Sequence, residues 1–305
     1  MSPDPDTDLQ PTPDLPDREY FSASWASLPW TGWIPFTAPK EEFRQIPKEP
    51  GLYRIRPAGK DCLVYIGETR RTVFQRLQDL RLELGTRDLM PWTEPHAEAP
   101  ALWAWQDAEG FEYECSAAPL DASINSRRGM ECYLLYRYRQ ERGNSPLCNF
   151  DRFHPRYRAS TLRKENLRGG KLGPGQKDNP AGSPGLPPLA ATGTPGEPGW
   201  MGLSWSLPEA LTGEMVKNAP TGPGLYVLAD TGSGDIISIG QSLHCADRLS
   251  GLVKKSWDGK ELTFSFISAE PGILPHQLRE RENDLIGQYF EVHRKAPEFQ
   301  FRNSA

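Results

Sequence analysis

Residues 50–67 read PGLYRIRPAGKDCLVYIG, and this stretch decides how the chain folds. Two short runs, 51–56 and 62–68, are apolar or alternating and flank the turn-forming segment Pro57-Ala58-Gly59-Lys60-Asp61. Strand-prone residues on either side of a Pro/Gly/Asp turn predict a β-hairpin. The same arrangement returns at residues 223–240, PGLYVLADTGSGDIISIG. In both copies the second element begins twelve residues after the tyrosine, as Tyr65-Ile66-Gly67 and Ser238-Ile239-Gly240.

The repeat extends outward on both sides. Trp30-x-Gly32 precedes the first hairpin and Trp200-x-Gly202 the second. Arg76-Leu77 follows the first and Arg248-Leu249 the second. Glu131 stands 18 residues before Asn149, and Glu282 stands 18 residues before Gln300. Apolar spacing without breakers predicts helices over 72–84 and 128–142, the latter stopped by Gly143 and Pro146, with a strand at 111–117 between them. The second half predicts strands at 224–229, 235–240 and 262–268 and helices at 246–253 and 278–289. The expected fold is therefore α+β: two tandem small modules, each a three-stranded antiparallel sheet flanked by helices. The Gly/Pro-rich segment 169–199 reads as a flexible linker. The boundaries that follow are a disordered acidic tail at 1–18, a first domain at 19–168 with a basic extension, and a second at 200–305. Residues 85–100, rich in Pro and charge, are an insertion peculiar to the first half.

The ordered set of PGLY, YIG, an arginine on the next helix, a helical glutamate and a closing asparagine resembles the GIY-YIG nuclease family over residues 50–150. The resemblance implies a DNA endonuclease that hydrolyses phosphodiester bonds with a single divalent cation, Mg²⁺ or Mn²⁺. It implies that Glu131 holds that cation with waters, as a hard cation prefers. Tyr53 would contact the nucleophilic water as base or positioner, and a phenol of ordinary pKa ~10 needs positive charge nearby to serve as base. Tyr65 would line the site, Arg76 would bond the scissile phosphate through its planar fork, and Asn149 would hold the site together. The residues alone also allow Glu131 a plain salt bridge with Arg127 or Arg128. One position departs from the family: a histidine or tyrosine usual four residues after the arginine is replaced by Leu80, which carries no proton. The second half keeps Tyr226, Arg248 and Glu282 but has Ser238 for Tyr65 and Gln300 for Asn149. It reads as a degenerate site and a DNA-binding or pairing module.

Charge is spread unevenly. The net charge is −5, but residues 1–18 carry five aspartates against one arginine. Residues 127–171 hold twelve cations against four carboxylates, interleaved with aromatics. Such a stretch suits phosphate contacts, with Arg127, Arg128, Arg152, Arg156, Arg158, Arg163 and Lys164 as candidates to meet DNA. Five scattered cysteines without a C-x-x-C pair fit reduced thiols. Without a signal peptide or an apolar run of about 18 residues, the expected location is cytoplasmic, with no membrane partner. Homo-oligomerisation and intramolecular pairing of the two modules are both open. The expectation is a divalent-cation-dependent DNA endonuclease, with a catalytically weak or inactive nucleic-acid-binding protein as the alternative and a structural scaffold as a weaker third.

Overall fold

In the computed structural model, which describes residues 17–85 and 88–302, the quoted stretch becomes the centre of a sheet. Most of the acidic tail expected at 1–18 lies outside the described residues; Arg18 pairs with Asp61 at 2.9 Å. The elements of the first half are β1 (Ile34–Pro35), α1 (Lys40–Phe43), β2 (Gly51–Pro57), β3 (Tyr65–Thr69), α2 (Val73–Gly85), α3 (Ala99–Glu109), β4 (Tyr113–Pro119) and α4 (Ile124–Arg142). Then come the two-residue strands β5 (Tyr157–Arg158) and β6 (Gly170–Lys171), paired with each other. The second half contains β7 (Glu209–Ala210), β8 (Gly224–Asp230), β9 (Ile236–Ser242), α5 (Cys245–Val253), β10 (Leu262–Ser268) and α6 (Pro275–His293).

The class is mixed α and β with antiparallel sheets. The first sheet has the order β1-β4-β2-β3 and the second β7-β10-β8-β9. Each thus has four strands rather than the expected three. The extra strand in each is two residues long, too short to show a period of two, and β1 contains a proline at the sheet edge, where its missing N–H costs nothing. The hairpin register puts Tyr53 opposite Gly67 and Tyr226 opposite Gly240.

Alternation along β2 sends side chains to two different cores. Tyr53 and Ile55 pack with Val73, Leu77 and Leu80 of α2 and with α3. Leu52 packs with Leu134, Leu135 and Tyr138 of α4. Arg54 is fully buried on that second face, donating to the Tyr20 carbonyl at 2.6 Å and lying 4.3 Å from the Trp30 ring. The second half repeats the plan, with α5 against Tyr226 and Leu228 and α6 against Leu225 and Val227.

α4 and α6 pack against each other. Tyr133 and Tyr136 of α4 share a core with Leu285, Ile286 and Phe290 of α6. Within that contact Arg139 is fully buried and grips Asp284 with Nε–Oδ1 at 2.7 Å and Nη2–Oδ2 at 3.0 Å. The segment 169–199, expected to be a flexible linker, is anchored to this pair. Leu186 N donates to Glu280 at 2.8 Å, Leu189 N donates to Asp284 at 2.9 Å, and the Leu189 carbonyl accepts from Gln140 at 2.9 Å. Backbone groups bound by buried helix side chains order this segment, so no apolar period was there to be seen. No described helix is long and apolar enough to cross a membrane.

Candidate active site

The glycine of each Ile-Gly pair is the floor on which the site is laid. A Cβ on Gly67 would sit 2.6 Å from the Tyr65 ring and 2.8 Å from the Tyr53 ring. A Cβ on Gly240 would sit 2.3 Å from the Tyr226 hydroxyl. Each tyrosine therefore crosses its hairpin flat against a residue that can only be glycine, which carries the hydroxyl to the next helix. There the arginine meets it: Arg76 Nε donates to Tyr53 at 3.1 Å, and Arg248 Nε donates to Tyr226 at 3.1 Å. Tyr65 stacks on Tyr53 with ring centroids 5.9 Å apart.

The closing carboxamides do one job in both halves. Asn149 accepts from Ile66 N at 3.0 Å and donates to its carbonyl at 2.8 Å. Gln300 accepts from Ile239 N at 2.8 Å and donates to its carbonyl at 2.8 Å. Each side chain mimics a neighbouring strand along the outer edge of the sheet, satisfying groups that burial would otherwise leave unpaired. Gln300 is therefore an equivalent of Asn149, not an erosion of it.

Glu131 on α4 and Glu282 on α6 are both half-buried. Burial pushes the Glu131 carboxyl up to about 8, with Glu68 adding repulsion. Burial likewise raises Glu282 to about 7, with Arg279 and Arg248 pulling the other way. The salt bridge open to Glu131 is not made: Arg127 and Arg128 turn to Glu68, at 3.3 Å and 3.6 Å. Among the described residues no three or more His, Cys, Asp or Glu side chains converge as a protein cage for a metal. What each half offers is one poorly solvated carboxylate, a donor that fits a hard cation keeping most of its waters.

The two halves part at the arginine. In the first, Glu98, at the start of α3, accepts from Arg76 Nη2 with both carboxylate oxygens, at 2.8 Å and 2.8 Å. It also accepts from the Tyr53 hydroxyl at 2.9 Å. Its side chain is 2 % exposed, so this carboxylate is part of the interior. Burial and then Glu98 hold the Tyr53 phenol well above its ordinary range, outweighing Arg76, so the phenol stays neutral. His96, fully buried nearby, is pushed down to about 4 by burial and then by Arg76, and neither ring nitrogen has a hydrogen-bond partner. Leu80 is a core residue with no exposure.

The second half has no α3. Ser238 leaves open the volume that Tyr65 fills in the first half, and a cavity of about 810 Å³ stands there. Tyr226, Ser238, Arg248, Glu282 and Gln300 all line it, together with Lys255 and Arg279. The cavity beside Tyr65 and Asn149 is about 270 Å³, and Glu98 lines it while Arg76 and Glu131 do not.

Comparison of the chain with protein-family models, with curated proteins and with solved structures gives no significant match. The geometry of the site brings Tyr53, Tyr65, Arg76 and Asn149 around one hairpin, with Glu131 on the helix alongside. Sequence reasoning missed Glu98, whose neighbours Pro95 and Pro100 made it look like loop. The basic stretch divides. Arg127 is buried and donates to the Ala122 carbonyl, and Arg128 is held by Glu68. Arg152 is half-buried and donates to the Ser145 carbonyl at 3.1 Å, and Arg156 pairs with Asp178 at 2.8 Å. Arg158, Arg163 and Lys164 are exposed.

Proposed function

We propose that this chain carries two GIY-YIG-type modules in tandem and acts as a divalent-cation-dependent DNA endonuclease. The observation that carries the reading is the duplicated constellation: tyrosine hydroxyl on arginine Nε at 3.1 Å in each half, above a glycine floor, with a carboxamide pinning the strand edge. Phosphodiester cleavage needs charge neutralised on the phosphoryl oxygens and a water held in line. An arginine fork held by a neutral phenol supplies the first, and the phenol hydroxyl orders a water for the second. Glu131 or Glu282 would hold the Mg²⁺ or Mn²⁺, which supplies Lewis acidity and lowers the pKa of bound water.

A second reading, DNA binding without cutting, is favoured by the Glu98 carboxylate on Arg76 and by Leu80 in the core. Nicking of supercoiled plasmid in Mg²⁺ or Mn²⁺ separates the two. Cutting that drops by orders of magnitude in the Glu131→Gln/Glu282→Gln double variant, with DNA binding retained, supports the enzyme. Binding to DNA with no cutting by the wild-type chain under any divalent cation establishes the second reading.

A further inference from the structure

An internal carboxylate and an open cleft stand at matching places in the two halves. Both Glu98 oxygens accept from Arg76 Nη2 at 2.8 Å, so an internal anion already sits on the arginine where a phosphate oxygen would bind. Opposite Arg248, among the described residues, no carboxylate forms an ion pair, and its Nε is oriented by Tyr226 alone. The cleft around it is lined by three cations, Arg248, Lys255 and Arg279, against one carboxylate, Glu282. The smaller first-half cavity is lined by Glu98 and Asp151 against Arg152 alone. At the rim of the open cleft Arg279 pairs with Asp151 of the first half, so its position is set by both halves. A concave site with an excess of cations focuses field on an incoming anion. The cleft beside Ser238, about 810 Å³ against about 270 Å³ in the first half, leaves more room for a phosphate backbone.

We propose that the DNA phosphate backbone enters the second-half cleft and is bound there by Arg248 and Lys255, while Glu98 fills the corresponding phosphate position of the first half from within. This rests on the endonuclease reading and names which of the two modules meets DNA. It keeps the second half as the module that binds DNA and departs from the expectation that Arg76 of the first half bonds the scissile phosphate, because Glu98 already occupies that arginine.

The test is duplex binding by the full chain in EDTA, followed by fluorescence anisotropy of a labelled 20-base-pair DNA across a salt series, so that cutting plays no part. Arg248→Gln/Lys255→Gln should weaken binding and flatten the plot of log affinity against log salt by about 1.8, two contacts at ~0.9 each. Gly251→Trp keeps every charge. Gly251 lines the cleft and a Cβ there meets nothing within 4 Å, so the added indole obstructs the entrance without disturbing the core. A loss of tenfold or more is expected. Lys40→Gln/Arg44→Gln, an equal loss of charge at α1, should stay within twofold of wild type. Wild-type binding that both second-half variants leave unchanged overturns the proposal and leaves the endonuclease reading intact, with DNA on another face. A wild-type chain that binds no duplex at low salt overturns both.

Discussion

The two helix glutamates carry a pH signature that their surroundings dictate. An unperturbed glutamate titrates near ~4.3, whereas burial raises Glu131 to about 8 and Glu282 to about 7. The folded state therefore favours the protonated form of both. Their contribution to stability is fully present below the unfolded value and is lost as pH rises through the folded values, between about 4 and 8. Glutamine imitates the neutral form. Glu131→Gln should match wild type in Tm near pH 5 and exceed it near pH 8.5, by about 2–4 °C for each kcal/mol recovered. Thermal melts at the two pH values decide it, and an equal change at both would mean that burial does not set these groups. The place of Glu131 in the repeat was readable from spacing, 18 residues before Asn149 as Glu282 is before Gln300. Glu98 was not, because its role comes from an insertion folding back onto Arg76 and from no pattern in the chain.

At the scale of elements, the hairpins were legible because Pro, Gly and Asp turns bracket strand-forming residues, and the tyrosine-to-glycine pairing follows from the register. Helix α3 escaped because APALWAWQDAE is apolar with little polar relief, and its residues 99–104 are all buried, leaving no stripe for a 3.6-residue period to reveal. The edge strands escaped by brevity. The legible feature is also the one most open to test. Gly240→Ala places a methyl 2.3 Å from the Tyr226 hydroxyl, so the ring must leave Arg248 or the hairpin must open. Overpacking of this kind costs about 1–3 kcal/mol. The closest contacts include the hydroxyl, so Tyr226→Phe should relieve part of that cost in the double variant. The coupling energy from urea midpoints of the four-protein cycle measures it. Strict additivity would show that the glycine is retained for some other reason.

The whole molecule is organised by charges that look like surface in the sequence and are interior in the fold. Arg139, Glu280 and Asp284 sit on helices whose mixed composition reads as a solvated face, yet all three have no exposure. They were illegible because their burial depends on α4 and α6 meeting, and nothing within either helix announces a partner more than 100 residues away. Asp284 receives both ends of Arg139 and also the Leu189 amide, so one carboxylate ties together the first half, the connecting segment and the second half. Desolvating such an ion pair cancels much of its attraction, so the intact pair adds little net stability. Removing one member is a different matter, since it takes away the carboxylate that receives two guanidinium nitrogens and leaves the buried Arg139 only Glu280, 3.6 Å away. Asp284→Ala should therefore cost about 3–5 kcal/mol. The triple replacement Arg139→Met/Glu280→Gln/Asp284→Leu should recover most of that loss, because it removes the buried cation along with both carboxylates that face it. Gly287 makes the same contact intolerant of bulk: a Cβ there would lie 2.2 Å from the Cβ of Tyr136. A joint this close should couple the halves into one denaturant transition. The Asp284→Ala midpoint should then shift for tryptophans of both halves together, as followed by fluorescence and by circular dichroism. A shift confined to probes of the second half would show that the halves unfold independently and that the α4–α6 contact is only a loose docking.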